Sequence, residues 1–216
     1  MNDITKFLFF DIETVGKYST IDDLKKNDPK LYQLLYKKFL GKSEKEQKID
    51  GKTEYELIED TYQSMRSIIP EYGKIACITF GYVDDNNNWM SSTLSGDEED
   101  ILKKAQRIFQ NALEKNMMPC GYNILVFDLP YINKKMIKYG IRIPYNILLF
   151  NKKPWEVKVL DLCEAWKTTG RYWSSLDEVT HELGLKSPKN ELSGDKVHDT
   201  FWIENTHVDH LSIDEM

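Results

Sequence analysis

Apolar and polar positions along the chain change period several times, and each change marks an element. Phe7, Leu8, Phe9 and Phe10 form a continuous apolar run, the pattern of a short strand buried on both faces, and the run enters Asp11-Ile12-Glu13-Thr14 before Gly16. This predicts Asp11 and Glu13 at that strand's end. Residues 17–70 then turn to Lys-, Glu- and Tyr-rich sequence with helical spacing. Leu31, Leu34, Leu35 and Phe39 make one stripe, and Tyr55, Ile58, Tyr62, Met65 and Ile69 make a second. The charged segment Gly41 to Lys52 between them reads as a mobile loop, and the whole of 17–70 as a helical insertion lying over one side of a sheet.

Lys74 to Val83 carries the β-branched and aromatic residues of a strand, Asp84 to Asn88 supplies a polar turn, and Trp89 to Leu94 returns, which predicts a hairpin. Ser95, three residues ahead of Glu98, opens a helix whose apolar face is Ile101, Leu102, Ala105, Ile108, Phe109, Ala112 and Leu113. The acids of Ser95 to Asp100 suit the positive end of that helix and are not read as a metal site. Met117 to Tyr122 reads as a buried strand. Asn123 to Phe127 turns the chain into a helix with Pro130 in its first turn and Gly140 as its stop, so Asp128 falls at a helix start beside a strand's C-terminal edge. After a connection over 141–156 come a strand from Trp155 to Leu162, a helix from Ser175 to Leu183 ended by Gly184, a lysine-bearing loop and a short helix around 194–202. Residues 203–216 show no strong pattern.

This order predicts an α/β fold: a mixed β-sheet with an early antiparallel hairpin and later parallel strands, flanked by helices, in a single domain over 1–216 with the insertion at 17–70. Strand ends in such a sheet share a crevice, where Asp11, Glu13 and Asp128 are expected to meet. Asp11 and Glu13, two apart on a strand, point to one face while Ile12 turns to the core. Two readings follow for the pair: a hard divalent cation between them, or a solvated strand end whose acids pair with lysines.

Composition narrows the setting. The chain of 216 residues is 41% hydrophobic and 30% charged, and no apolar run is long enough to span a bilayer. The N-terminus has no basic leader and its apolar run is cut by Asp11, so a cytoplasmic protein is expected. Cys77, Cys120 and Cys163 lie far apart and read as small buried thiols in a reducing compartment. A net charge of -6 argues against wrapping duplex nucleic acid with a basic surface, but not against a metal-dependent enzyme acting on it. The twelve tyrosines and five tryptophans suit base stacking as well as core and surface anchoring.

Set together, FFDIETVG and Gly121 to Ile132, GYNILVFDLPYI, resemble the first and second motifs of the DEDD superfamily of 3′ to 5′ exonucleases on a ribonuclease H-like fold. The likeness is nearest to predicted exonucleases related to the proofreading domain of family B DNA polymerases. Val159 to Leu162, Ser174 to Leu185 and Leu192 to Trp202 extend it along the chain outside the insertion. The resemblance implies that Asp11, Glu13 and Asp128 bind two Mg²⁺ or Mn²⁺ ions and are the catalytic residues of phosphodiester hydrolysis at a single-stranded DNA or RNA 3′ end. It also implies that Thr14, Asn123 and Phe127 serve the substrate, with Phe127 either stacking on a base or packing beneath Asp128. Asp161 reads as a further acid at a strand end or equally as a helix cap. Replication or repair proteins are the expected partners, and no membrane. The family also calls for a fourth Asp, with a Tyr four residues or a His five residues before it. No such pair follows Tyr172, so the final helix and motif are expected beyond Met216, or the chain is a catalytically inactive nucleic-acid-binding or polymerase-associated module. His207, Asp209, His210 and Asp214 form a conceivable substitute cluster, against which stands a polar tail that binds nothing.

Overall fold

Apolar strand residues followed by amphipathic helices fold here into a five-stranded sheet in the order β3-β2-β1-β4-β5. The computed structural model describes residues 3–40, 52–153, 156–168, 170–186 and 197–203. The strands are β1 (Phe7–Gly16), β2 (Gly73–Val83), β3 (Trp89–Ser95), β4 (Met118–Gly121) and β5 (Leu160–Asp161). β2 and β3 form the expected antiparallel hairpin, from Cys77 opposite Ser95 to Val83 opposite Trp89. β1 runs parallel to β4, which runs parallel to β5. The chain divides into two compact units, one of Met1–Glu13 with Ile75–Ser193 and one of Thr14–Lys74 with Gly194–Met216.

The first unit is built around Leu8, Phe10 and Ile12 of β1, Ile78 and Phe80 of β2 and the apolar face of a long helix. In it Phe109 meets Phe10 edge to face at 5.1 Å between ring centroids and Phe80 at 5.2 Å, the arrangement aromatic quadrupoles favour. The helices described in this unit are α4 (Glu98–Glu114), α5 (Asp128–Lys138), α6 (Leu162–Lys167) and α7 (Leu176–Glu182). α7 starts as its sequence predicts, with Ser175 and Glu178 exchanging capping hydrogen bonds, and Gly184 at φ +67° follows its end.

Three expectations need correction. The cap of α4 is Asp97, whose carboxylate accepts from the Glu99 and Asp100 amides, because Ser95 is still paired in β3. Glu98 is not a solvated dipole acid: it is buried, 3.1 Å from both Lys135 and Lys138, and accepts from the Ile75 amide and the Tyr139 hydroxyl. These partners hold its carboxyl below the usual range despite burial. The strand expected from Trp155 to Leu162 is only Leu160–Asp161 long. The Val159 amide turns back to the Val157 carbonyl, and Asp161 at once caps the next helix. Trp155 lies outside the described residues.

The second unit contains α1 (Ile21–Asn27), α2 (Pro29–Leu40) and α3 (Glu54–Met65). Thr20 caps α1, and Thr53 with Glu56 closes a capping box on α3. Their shared core is Ile21, Leu24, Leu35, Phe39, Leu57, Ile58, Tyr62 and Tyr72. Both sequence stripes are therefore right in part, but Leu34 and Tyr55 face solvent, each at the edge of its stripe. A helical segment at 197–203 belongs to this unit. His198 Nδ1 accepts the Gly16 amide at 2.9 Å and Nε2 lies 3.1 Å from the Ser19 carbonyl, which sets the neutral tautomer protonated on Nε2. The expected loop over 41–52, apart from Lys52, the loop after Lys186 and the tail holding His207, Asp209, His210 and Asp214 lie outside the described residues.

Candidate nuclease site

β1 outruns its neighbour. The parallel ladder pairs Phe7, Leu8 and Phe9 with Met118, Pro119 and Cys120, and β4 stops at Gly121 while β1 continues to Gly16. Asp11 and Glu13 are thus not at the end of their own strand, as the sequence suggests, but beyond the end of the strand beside it. Asp11 is exposed, Ile12 buried and Glu13 half-buried, the alternation the strand period requires.

The close passage at the strand ends explains Gly121. A Cβ there would lie 2.7 Å from the Phe10 carbonyl oxygen and 2.5 Å from Ile124 Cγ2, so a side chain is excluded. The chain then bends through Asn123, at φ +60°, into α5, whose first residue is Asp128. Asp161 holds this bend: its carboxylate accepts the amides of Asn123, Leu125 and Cys163, each at 2.9 Å. The cap reading of Asp161 is therefore correct, and it serves two elements at once. The signal for it in the sequence is an Asp directly ahead of the helical segment Leu162 to Lys167.

So positioned, Asp128 reaches β1. Its Oδ1 accepts the Ile12 amide at 3.1 Å, which places the carboxylate between Asp11 and Glu13 along the strand. Asp128 is buried, and burial first, then the negative charge of Asp11, pushes its pKa up to about 7. Cys77 on β2 is also within reach of the acids: its thiol is raised by burial and then by the charges of Glu13 and Asp11. No sequence signal marked that neighbour, because it depends on strand order. Cys120 and Cys163 are buried as expected, all three thiols are unpaired with one another, and Cys77 is only half-buried.

Of the expected substrate residues, Phe127 packs on the core and lies 5.7 Å from the Tyr131 ring, the packing alternative for this side chain. Asn123 contributes its backbone to the Asp161 clamp. Thr14 is buried on β1 and falls in the second unit.

The donor set can be tested against a hard divalent cation. Carboxylate oxygens are the right ligands, and a buried carboxyl kept from ionising by a neighbouring carboxylate is a place where a cation would relieve both costs. Asp11 and Asp128 fit on that ground. Among the described residues, however, no three His, Cys, Asp or Glu side chains converge closely enough to hold a metal ion as they stand.

The family model of the RNase_H superfamily matches residues 67–208, about two thirds of the chain, and the protein belongs to that superfamily. Its fold is RNase H-like, and the superfamily's members are generally hydrolytic nucleases that use divalent metals on nucleic acid. The matched stretch includes Asp128 and Asp161 and begins after Asp11 and Glu13. A family B DNA polymerase from the hyperthermophilic archaeon Pyrobaculum calidifontis is similar in structure, with a TM-score of 0.47 and 11% identity. That similarity covers 96% of this chain and 22% of the polymerase chain. No curated protein sequence matches the chain. Among the described residues no helix is long and apolar enough to cross a membrane.

Proposed function

We propose that this protein is a metal-dependent 3′ to 5′ exonuclease of the DEDD type, hydrolysing phosphodiester bonds at single-stranded DNA or RNA ends. The observation that carries this reading is the buried Asp128 carboxylate held on the Ile12 amide between Asp11 and Glu13. In it Asp11, Glu13 and Asp128 would hold two Mg²⁺ or Mn²⁺ ions, which would supply positive charge for activating a water and for stabilising the leaving 3′ oxygen. Asp128 would offer Oδ2 to such an ion, since Oδ1 accepts the Ile12 amide. Burial keeps bulk water from competing for it. Thr14, Asn123 and Phe127 complete the reading as residues near the terminal nucleotide, with replication or repair proteins as partners and the cytoplasm as location.

A second reading follows from the absence of three converging ligands among the described residues. It is a strand-binding or polymerase-associated module without turnover. Release of mononucleotides from a 5′-labelled oligonucleotide with Mg²⁺ or Mn²⁺ separates the two. The exonuclease reading expects a 3′-shortening ladder from wild type and its loss, by orders of magnitude, in Asp11→Ala. Unchanged cleavage in Asp11→Ala refutes it, and strand binding with no cleavage by wild type supports the module.

A further inference from the structure

Three aromatic side chains stand exposed on the segments joined to the end of β4. Tyr172 is 92% exposed and Trp173 61%, and Trp166 on α6 and Val126 in the bend before Asp128 are exposed as well. Single exposed apolar residues are ordinary, but these four lie on segments that hydrogen bonds from Tyr122 and to Asp161 tie to the end of β4. The segment is also basic: in Ala165 to Ser175 the charged residues are Lys167 and Arg171, with no acid, in a chain whose net charge is -6. Arg171 is exposed next to Tyr172, and Lys167 is paired with Glu164 at 3.2 Å.

The framework around these residues is fixed at several points. The Tyr122 hydroxyl, one residue past the end of β4, donates to the Ser174 carbonyl. Ser175 caps α7, and Asp161 ties the start of α6 to the bend at Asn123. The loop bearing Arg171, Tyr172 and Trp173 is thereby attached to the same strand end past which Asp11 and Glu13 project. Backbone anchoring with side chains left to solvent is what a stacking surface requires, since a base must slide over an aromatic face already in place.

We propose that Tyr172 and Trp173, with Arg171 between them and the phosphates, form a platform on which successive bases of a single strand stack while its end lies at the carboxylates. The inference rests on the nuclease reading for the strand's direction, and it names residues outside the motifs that define that reading. Stacking engages a π-face that every base has, so the platform is indifferent to sequence. Paired bases offer no free face, so duplex is excluded.

The test is fluorescence anisotropy of a short 5′-fluorescein oligothymidylate with the full chain in EDTA, where binding is read without cleavage. Tyr172→Ala/Trp173→Ala is expected to weaken binding about tenfold or more, in line with the loss of base stacking. Tyr172→Phe/Trp173→Phe is expected to restore most of it, and Arg171→Gln to lower the salt dependence. Both aromatic side chains are exposed, so an unchanged thermal midpoint checks that the fold survives. Binding by the double alanine variant equal to wild type overturns the platform. So does equal weakening in the phenylalanine variant, or a concentration-dependent dimer of wild type that the alanine variant loses with strand binding intact. Aromatic-dependent binding in a wild type that cleaves nothing refutes the nuclease reading and supports the platform, whereas cleavage with aromatic-independent binding does the reverse.

Discussion

Replacing Asp128 with Asn tests the electrostatic account of the site without any substrate. In the folded chain burial and the charge of Asp11 raise the Asp128 pKa from 3.8 to about 7. A carboxyl whose folded pKa is raised contributes stability that is fully present below the unfolded pKa and is lost as pH rises through the folded one. From pH 5 to pH 8 the cost to wild type, from that shift at 1.36 kcal/mol per unit, comes to roughly 2.5 kcal/mol. Asn is nearly isosteric with the protonated acid and its Oδ1 still accepts the Ile12 amide, so the variant escapes this loss. Urea unfolding in EDTA at the two pH values reads the difference directly. The expected result is that the stability of Asp128→Asn relative to wild type improves by roughly 2.5 kcal/mol between pH 5 and pH 8. Adding Mg²⁺ at pH 8 is expected to recover much of that loss in wild type and little in the variant, because ligand binding to the folded state alone stabilises it. A wild-type to variant difference that does not change with pH refutes the reasoning, since it means Asp128 is ionised at no cost.

Two further predictions concern the frame that holds the site. Asp161→Ala leaves the amides of Asn123, Leu125 and Cys163 without their acceptor and is expected to cost about 3 kcal/mol or more in urea unfolding, with Asp161→Asn losing less. Equal loss of metal binding at unchanged stability would instead make Asp161 a ligand. Lys135→Met leaves Glu98 buried with fewer partners and is expected to destabilise by about 3–5 kcal/mol, part of which Lys135→Met/Glu98→Gln recovers. A double variant no more stable than the single one refutes that coupling.

Much of this molecule is legible in the chain taken residue by residue. The hairpin of β2 and β3, the strand at Phe7, the apolar face of α4 and the stop at Gly140 follow from local period and backbone preference, which need only a few neighbouring residues to act. Asp11 and Glu13 stood out because a buried run ending in carboxylates is costly and therefore conspicuous, and Asp128 because it opens a helix within the Gly121 to Ile132 motif. The tertiary structure alone decided the rest. That β1 lies between β2 and β4 brings Cys77 beside the acids. Whether Glu98 faces water or Lys135, and whether Asp161 is a ligand or a clamp, depends on residues 37 and 38 positions away from them. The length of β5 depends in turn on how soon its second residue is claimed as a cap. Local patterns set which face of each element is apolar, but the charge state and partners of a buried polar group are set by whatever long-range contact replaces its water. No window along the sequence contains that contact.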